Sequence, residues 1–216
     1  MELFDMIQAD DTNALLAALQ AGSEPNLRGE MRDSPRTVAA GLGQMAAVKA
    51  LLDVGAEIAH TNEFEFDALG SALWNSHLDV AQYLVVRGAE VSISDAAALG
   101  DLERLQREWQ PMPEIEETIG VYLCACRCGQ TAVVAWLLAQ GIPVDLHPPG
   151  DEWGGIGCPG LHHAATRGHA ETVRLLLAHG ADLSLVDDVF GTTALFWANM
   201  DGRTEVVEIL RQAGSR

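Results

Sequence analysis

The chain has 216 residues, of which 48% are hydrophobic, and its 31 acidic and 13 basic side chains give a formal net charge of −18 at pH 7. Such a charge repels phosphate backbones, so we expect no nucleic-acid binding, and the lack of an apolar run of about 18 residues or more predicts no membrane span. Residues 1–5 (MELFD) lack a basic segment followed by an apolar one, so we expect no signal peptide and a cytoplasmic location.

Apolar residues at helical spacing predict short helices in pairs along the chain. The first pair is expected at residues 2–9 and 12–21, and the Ser34-Pro35 helix start predicts a second pair at about 35–41 and 44–53. A later helix at about 101–109 ends at Trp109 before two prolines, and the acidic residues 114–117 are expected to form an exposed connector. Helices follow near 120–127 and 130–139, and the Pro- and Gly-rich residues 143–157 predict a long loop.

The clearest pattern lies in residues 161–180 (LHHAATRGHAETVRLLLAHG), where a Gly168-His169 break separates two short helices and Gly180 closes the second. Counterparts of Gly168 recur along the chain, at Asp10, Gly43, Ser76, Gly100, Gly129 and Gly202. Twelve residues after six of the seven positions stands a glycine (Gly22, Gly55, Gly88, Gly141, Gly180 and Gly214), whereas the fourth unit has Met112 there. The first two intervals are 33 residues, a length typical of stacked helical repeats. The later intervals are 24, 29, 39 and 34 residues, so the array is irregular.

This pattern, which ends in Gly180-Ala181-Asp182, resembles the ankyrin repeat. The resemblance implies an all-α ankyrin-repeat solenoid of stacked antiparallel helix pairs with short β-hairpin-type connecting loops. We expect a single ankyrin-repeat domain, 1–216, with repeats at approximately 1–31, 32–64, 65–91, 92–113, 118–156, 157–190 and 191–216. The polar residues of the first and last repeats fit capping units, whose outer faces have no neighbour.

The resemblance also implies where a partner binds, namely at the hairpin tips and on the concave face formed by the first helix of each repeat. Carried over position by position, it gives nine candidate partner-binding residues: Phe64, Phe66, Trp74, Asn75, Arg127, Trp153, Arg167, Phe190 and Met200. Clustered large apolar groups at exposed positions favour contact with a partner. The alternative for Phe64, Phe66 and Phe190 is that each packs under its own hairpin. Trp136 and Trp197 are expected in the core. Residues 88–100 leave no room for the usual hairpin before repeat four, and Trp109 is expected to cover that place.

Cys158, His162 and His163 raise the alternative of a thiol- or metal-dependent enzyme. Their spacing matches no zinc motif, and the resemblance implies that His162 hydrogen-bonds to the neighbouring repeat, while His169 and His77 are turn residues. On a helix, Cys124 and Cys128 share a face from which Cys126 points away, so one metal ion does not readily take all three. We therefore expect reduced, structural cysteines, no metal and no cofactor.

The sequence thus predicts a non-catalytic scaffold that binds another protein on its concave face and hairpin tips. In the simpler interpretation the acidic surface only keeps the protein soluble. In the alternative interpretation it attracts a basic partner and speeds association. An immunity or antitoxin-like inhibitor of a basic protein is an alternative within this class, and an oligomeric assembly protein is a third possibility. We expect a monomer.

Overall fold

The computed structural model describes residues 2–29, 32–59, 61–62, 66–109, 115–148 and 157–214. In these residues the chain forms fourteen α-helices, α1 to α14, and no strand. Their bounds are Leu3–Gln8, Thr12–Gln20, Pro35–Gly41, Met45–Asp53, Ala68–Trp74, Leu78–Val86, Ile93–Leu99, Leu102–Glu108, Ile115–Arg127, Thr131–Ala139, Gly160–Arg167, Ala170–Ala178, Ala194–Met200 and Thr204–Gln212. The predicted series of seven helix pairs is therefore confirmed.

The chain divides into two compact units, Met1–Val91 and Ser92–Arg216, each built in the same way. In the first unit the odd-numbered helices α1, α3 and α5 pack side by side, as do the even-numbered helices α2, α4 and α6. Fully buried leucines fill the space between these two layers: Leu15, Leu51, Leu69 and Leu84. That residues 1–216 form a single ankyrin-repeat domain remains a prediction.

The second unit also has two layers. Helices α7, α9, α11 and α13 pack side by side in one layer, and α10, α12 and α14 pack in the other. One core runs through all four repeats, from Ala97 and Leu105 to Val206 and Leu210. Because each pair buries its apolar face only against its neighbours, the core grows along a line rather than around a centre.

The turn between the two helices of each repeat has the backbone geometry that the sequence pattern predicts. All seven turn residues have a positive φ, including Asp10 (54°) and Ser76 (62°), which are not glycine. The six glycines that close the second helices also have a positive φ, between 85° and 100°. A left-handed residue satisfies the last carbonyl groups of a helix and reverses the chain. Met112 lies outside the described residues.

Repeat five differs from its prediction. Its first helix begins at Ile115 rather than near residue 120, so the expectation of an exposed connector is wrong for residues 115–117. Thr118, Ile119 and Tyr122 are buried at helical spacing, which extends the apolar face of the helix toward its start. Glu117 in the first turn is exposed and suits the positive end of the helix dipole. Glu114 lies outside the described residues.

The loop that precedes the first helix of a repeat is called here the finger. The finger before α13 carries the only β-bridge found in the described residues, an antiparallel pair between Val186 and Thr193. The finger before α5 is closed by a hydrogen bond from the Asn62 N–H to the Phe66 carbonyl, 2.9 Å long. No helix in the described part of the chain is long and apolar enough to cross a membrane.

Candidate functional site

A repeated hydrogen bond sets the position of the first-helix ends. The side chain that follows the turn residue donates to a carbonyl near the end of the preceding first helix: Gln44 to Ile7 at 2.7 Å, Gln130 to Ala98 at 2.8 Å, His169 to Arg127 at 2.8 Å and Arg203 to Thr166 at 2.8 Å. This contact places equivalent residues of neighbouring repeats side by side within each unit. It also confirms the turn role that the resemblance implies for His169.

In the first unit, two of the candidate aromatic residues lie together. The Phe66 and Trp74 rings have centroids 5.5 Å apart at 44°. Phe66 is half-buried because it packs directly on Gly70 of the following helix, α5, where an added Cβ would lie 2.9 Å from the Phe66 ring. Trp74 remains 40% exposed at the end of α5. Asn75 caps α5 and donates from its side chain to the Ser71 carbonyl at 3.1 Å.

In the second unit, a buried carboxylate organises the finger before α13. Asp187 is almost fully buried, and its oxygens accept hydrogen bonds from the backbone N–H groups of Val189, Phe190 and Thr192, the Thr192 hydroxyl and the Trp197 indole N–H. Burial by itself raises the pKa of the Asp187 carboxyl, but these donors outweigh it and hold that pKa well below its ordinary value. The finger is therefore rigid where it presents Phe190.

An apolar patch is exposed on this finger and on α13. On the finger, Val189 and Phe190 are 55% and 62% exposed, and on α13 Phe196 and Met200 are 48% and 68% exposed. We call these four residues the repeat-seven patch. The edge of the Phe190 ring packs on Trp197, with centroids 5.9 Å apart, so Phe190 is anchored without being covered. Phe196 is not among the candidates that the sequence gives, although its spacing of four residues from Met200 places both on one helix face.

A chain of polar contacts joins the last residue of α9 to the first half of α11 and to the residues just before α11. Nη1 of Arg127 lies 3.2 Å from Nδ1 of His163, and Nε2 of His163 lies 3.5 Å from Sγ of Cys158. Because a guanidinium only donates, Nδ1 of His163 is the acceptor and Nε2 carries the proton, which points to the sulfur. Arg127 and Arg167, both candidates from the sequence, are the last residues of α9 and α11, and each is half-buried.

These contacts do not prepare Cys158 for nucleophilic chemistry. Burial, and then the neighbouring Arg127 charge, lower the pKa of His163 to about 3, and burial raises the pKa of Cys158 to about 12. Both groups are thus neutral near pH 7, and the imidazole donates to the sulfur instead of accepting its proton. His162 instead contacts the next repeat, as the resemblance implies, with Nε2 3.1 Å from the Thr192 carbonyl. The described residues contain no group of three or more His, Cys, Asp or Glu placed to hold a metal ion.

The remaining cysteines fill space in repeat five. Cys126 and Cys128 are buried, Cys124 is half-buried, and all are free thiols. Burial raises the pKa of Cys124 to about 12 and that of Cys126 further. The Cys126 side chain packs on Gly160 of the next repeat, where an added Cβ would lie 2.7 Å from the sulfur. Cys124 and Cys126 are therefore poorly reactive packing residues. Two other candidates, Phe64 and Trp153, lie outside the described residues.

Comparisons with known proteins agree with this architecture. The family model described as ankyrin repeats (3 copies) matches residues 3–95 and 121–216. Among solved structures, the human ASB11 ankyrin repeat domain superposes with a TM-score of 0.51 at 23% identity, covering 100% of this chain and 99% of that one. That likeness concerns the fold. No curated protein sequence matches the chain. Helix pairs, left-handed turns and the matched family model together show that the chain belongs to the ankyrin repeat family.

Proposed function

We propose that the protein is a non-catalytic scaffold that binds a partner protein on the first-helix side of its repeats and on its finger tips. The observation that carries this proposal is the repeat-seven patch. Its four large apolar side chains lie exposed in a chain with a net charge of −18, and Asp187 holds the finger in place. Large apolar side chains clustered at the surface are typical of a contact site, and a rigid finger loses little conformational entropy on binding.

The charge around the patch supports a basic partner. Asp188 and Asp201 are exposed at either end of the patch, and Glu205 and Glu208 are exposed on the following helix. A partner with apolar residues flanked by Lys or Arg would match this arrangement and would associate faster at low salt. Inhibition of a basic protein, as in the immunity or antitoxin-like alternative, would be one use of such binding.

The test is to purify a partner captured by the full chain and to measure its affinity for variants. We expect Phe190→Ala with Met200→Ala to weaken binding by about 2 kcal/mol or more, since central apolar anchors carry much of the energy of an interface. The matched control is Leu16→Ala with Val86→Ala, which removes two exposed apolar side chains from second helices of the first unit. Equal affinity of the patch variant and the wild type would refute the proposal.

The Phe66 and Trp74 pair is a second candidate contact for the same partner. Trp74→Ala with Phe66→Ala is expected to weaken binding by about 2 kcal/mol. Because Phe66 packs on Gly70, this double variant will also lose thermal stability, whereas Trp74→Ala alone will lose little. The affinity of Trp74→Ala therefore separates a binding role from a folding role.

A further inference from the structure

Contacts between repeats show which side of a first helix faces the next repeat. An added Cβ at Gly41, the last residue of α3, would lie 3.7 Å from the Ser71 Cβ in the next first helix, α5. In the second unit, Arg127 reaches the next first helix in the same way, with Nη1 3.2 Å from Nδ1 of His163. Both Gly41 and Arg127 stand two residues before the turn residue of their repeat. The side chain at this place therefore points to the following repeat.

A second place on the first helix, six residues before the turn residue, faces the same way. Ser94 holds it in repeat four, and its Oγ lies 3.2 Å from where a Cβ on Gly120 of α9 would be. His162 holds it in repeat six, where it is buried and contacts the Thr192 carbonyl of the next finger. The two places are four residues apart, so they share one face of the helix. Within each unit, this face is the surface on which the next repeat stacks.

In repeat seven, the corresponding face of α13 is apolar and exposed. Phe196 and Met200 stand six and two residues before the turn residue Gly202, and both side chains are exposed. Asn199 lies between them and turns its amide back to its own helix, where it donates to the Leu195 carbonyl at 3.0 Å. We call the surface formed by Phe196 and Met200 the end face. It has the position of a contact between repeats and side chains that suit a buried surface.

Acidic residues flank the end face. Between repeats six and seven, Arg174 of α12 forms an exposed ion pair with Glu205 of α14, 2.8 Å long. The residue 34 positions after Arg174 is Glu208, so an acid stands on α14 where the preceding repeat has the cation of this pair. Asp201 adds a second exposed carboxylate just after α13, and Arg211 is the exposed cation of α14. An element that covers the end face would therefore pair with Glu208 through a Lys or an Arg.

We propose that the end face binds a basic amphipathic α-helix of the partner, which lies where the first helix of a following repeat would lie. The inference rests on the proposed function and names the element of the partner that contacts Phe196 and Met200. The helix carries apolar residues at spacings of three and four, with Lys or Arg beside them to face Glu208 and Asp201. A second copy of the chain fits less well, because each copy has a net charge of −18 and the two would repel.

A phage-displayed library of random peptides of about 18 residues, selected against the immobilised full chain, provides the probe, since a peptide of this length can form a helix. We expect the selected peptides to share an apolar stripe at helical spacing and to carry more Lys and Arg than Asp and Glu. A synthetic peptide from this set should gain helicity on binding, as measured by circular dichroism. Phe196→Ala should weaken its binding about tenfold, because Phe196 is a central anchor of the end face.

A charge exchange tests the orientation of the helix on the end face. Glu208→Arg should weaken the binding of a basic peptide at low salt, and changing one Lys or Arg of that peptide to Glu should restore binding to Glu208→Arg while weakening binding to the wild type. The matched control is Glu103→Arg, at an exposed acidic residue of the second helix of repeat four, which should bind like the wild type at about 150 mM NaCl. Leu16→Ala with Val86→Ala again controls for the loss of exposed apolar side chains.

The outcome for the proposed function is read separately. Peptides that stay non-helical when bound, or that lose affinity with Phe190→Ala but not with Phe196→Ala, overturn only the helix on the end face. A dimer of the full chain that Phe196→Ala dissociates, measured by light scattering, assigns the end face to a second copy and also overturns it. Peptides that ignore all variants of the repeat-seven patch, or a selection that yields no binder, overturn the end-face helix and the proposed function together.

Discussion

Arg36 stands where the equivalent positions of other repeats have a core leucine. It is two residues after the N-cap of its helix, as are Leu69 and Leu161. Only 1% of Arg36 is exposed, and none of its three guanidinium nitrogens has a hydrogen-bond partner among the described residues. Burial lowers its pKa, while the charges of Asp67 and Glu57 act in the opposite direction. The first unit therefore retains a buried cation whose desolvation is poorly compensated.

Arg36→Leu should stabilise the protein. We expect the free energy of unfolding to rise by about 1–4 kcal/mol, because a leucine of similar reach replaces a poorly paired buried charge. Urea unfolding followed by circular dichroism measures this change. Arg87→Leu, in which an exposed arginine paired with Asp53 is replaced, is the control and should have little effect. A loss of stability in Arg36→Leu would show that the guanidinium is better paired than its contacts indicate.

Asp187 should contribute to stability with a defined pH dependence. Asp187→Asn leaves several N–H and O–H donors facing an amide, so we expect a loss of about 2 kcal/mol near neutral pH. The pKa of Asp187 is lower in the folded state than its ordinary value of 3.8, so its contribution is complete above that value and is lost as the pH falls through the folded pKa.

The unfolding free energies of the wild type and Asp187→Asn should therefore converge as the pH is lowered from about 5 to about 2. Asp188→Asn, at the exposed neighbouring residue, is the control and should follow the wild type. Curves that stay parallel over this range would show that the carboxylate charge is not what holds the finger.

At the level of the helix pair, some turn residues serve two purposes. All seven adopt a left-handed backbone, and in several repeats the turn residue must also leave room for a side chain of the next repeat. An added Cβ at Gly43 or Gly129 would lie 2.5 Å from Nδ1 of His77 or His169, and one at Gly100 would lie 2.5 Å from Oε1 of Gln130. The Gln130 and His169 side chains also make the hydrogen bond between repeats, so at these turns helix reversal is coupled to stacking.

Two glycines of repeat five allow the cost of a left-handed backbone to be measured separately from the cost of a clash with the next repeat. Gly129→Ala and Gly141→Ala both place an alanine at positive φ, 69° and 92°, which costs about 1–2 kcal/mol. Gly141 has nothing from the described residues within 4 Å of an added Cβ, whereas Gly129→Ala must also displace His169. We expect Gly129→Ala to lose about 1 kcal/mol more than Gly141→Ala, the net value of the His169 hydrogen bond, in urea unfolding. Equal losses would mean that His169 moves aside without cost.

At the scale of the whole molecule, the net charge of −18 opposes compaction. Raising NaCl from about 10 mM to about 300 mM shortens the screening length and should raise the melting temperature. A variant with Asp79→Asn, Glu103→Gln and Glu208→Gln, which neutralises three exposed acidic residues, should respond less to salt. A melting temperature that falls with salt would show that attractive ion pairs, such as Arg174 with Glu205, outweigh the repulsion.

The repeated unit can be derived from the amino-acid order alone. Turn residues from Asp10 to Gly202 and closing glycines from Gly22 to Gly214 are visible because a left-handed residue after a short helix restricts the amino acid locally. The helix bounds followed from apolar spacing, except in repeat five, where burial of Thr118 and Ile119 against other elements extends the helix. The acidic net charge and the resemblance to the ankyrin repeat can also be read from the sequence.

Which side chains of the repeated unit are covered depends on contacts that the amino-acid order does not reveal. Phe66 and Phe190 occupy similar fingers, yet Phe66 packs on Gly70 and Phe190 stays exposed because Asp187 and Trp197 hold its finger. The approach of Arg127 to His163 joins residues 36 positions apart, and no local pattern fixes such a distance. Exposure and charge clustering depend on packing between repeats, and a sequence period specifies that repeats stack without specifying what each stacked surface leaves open.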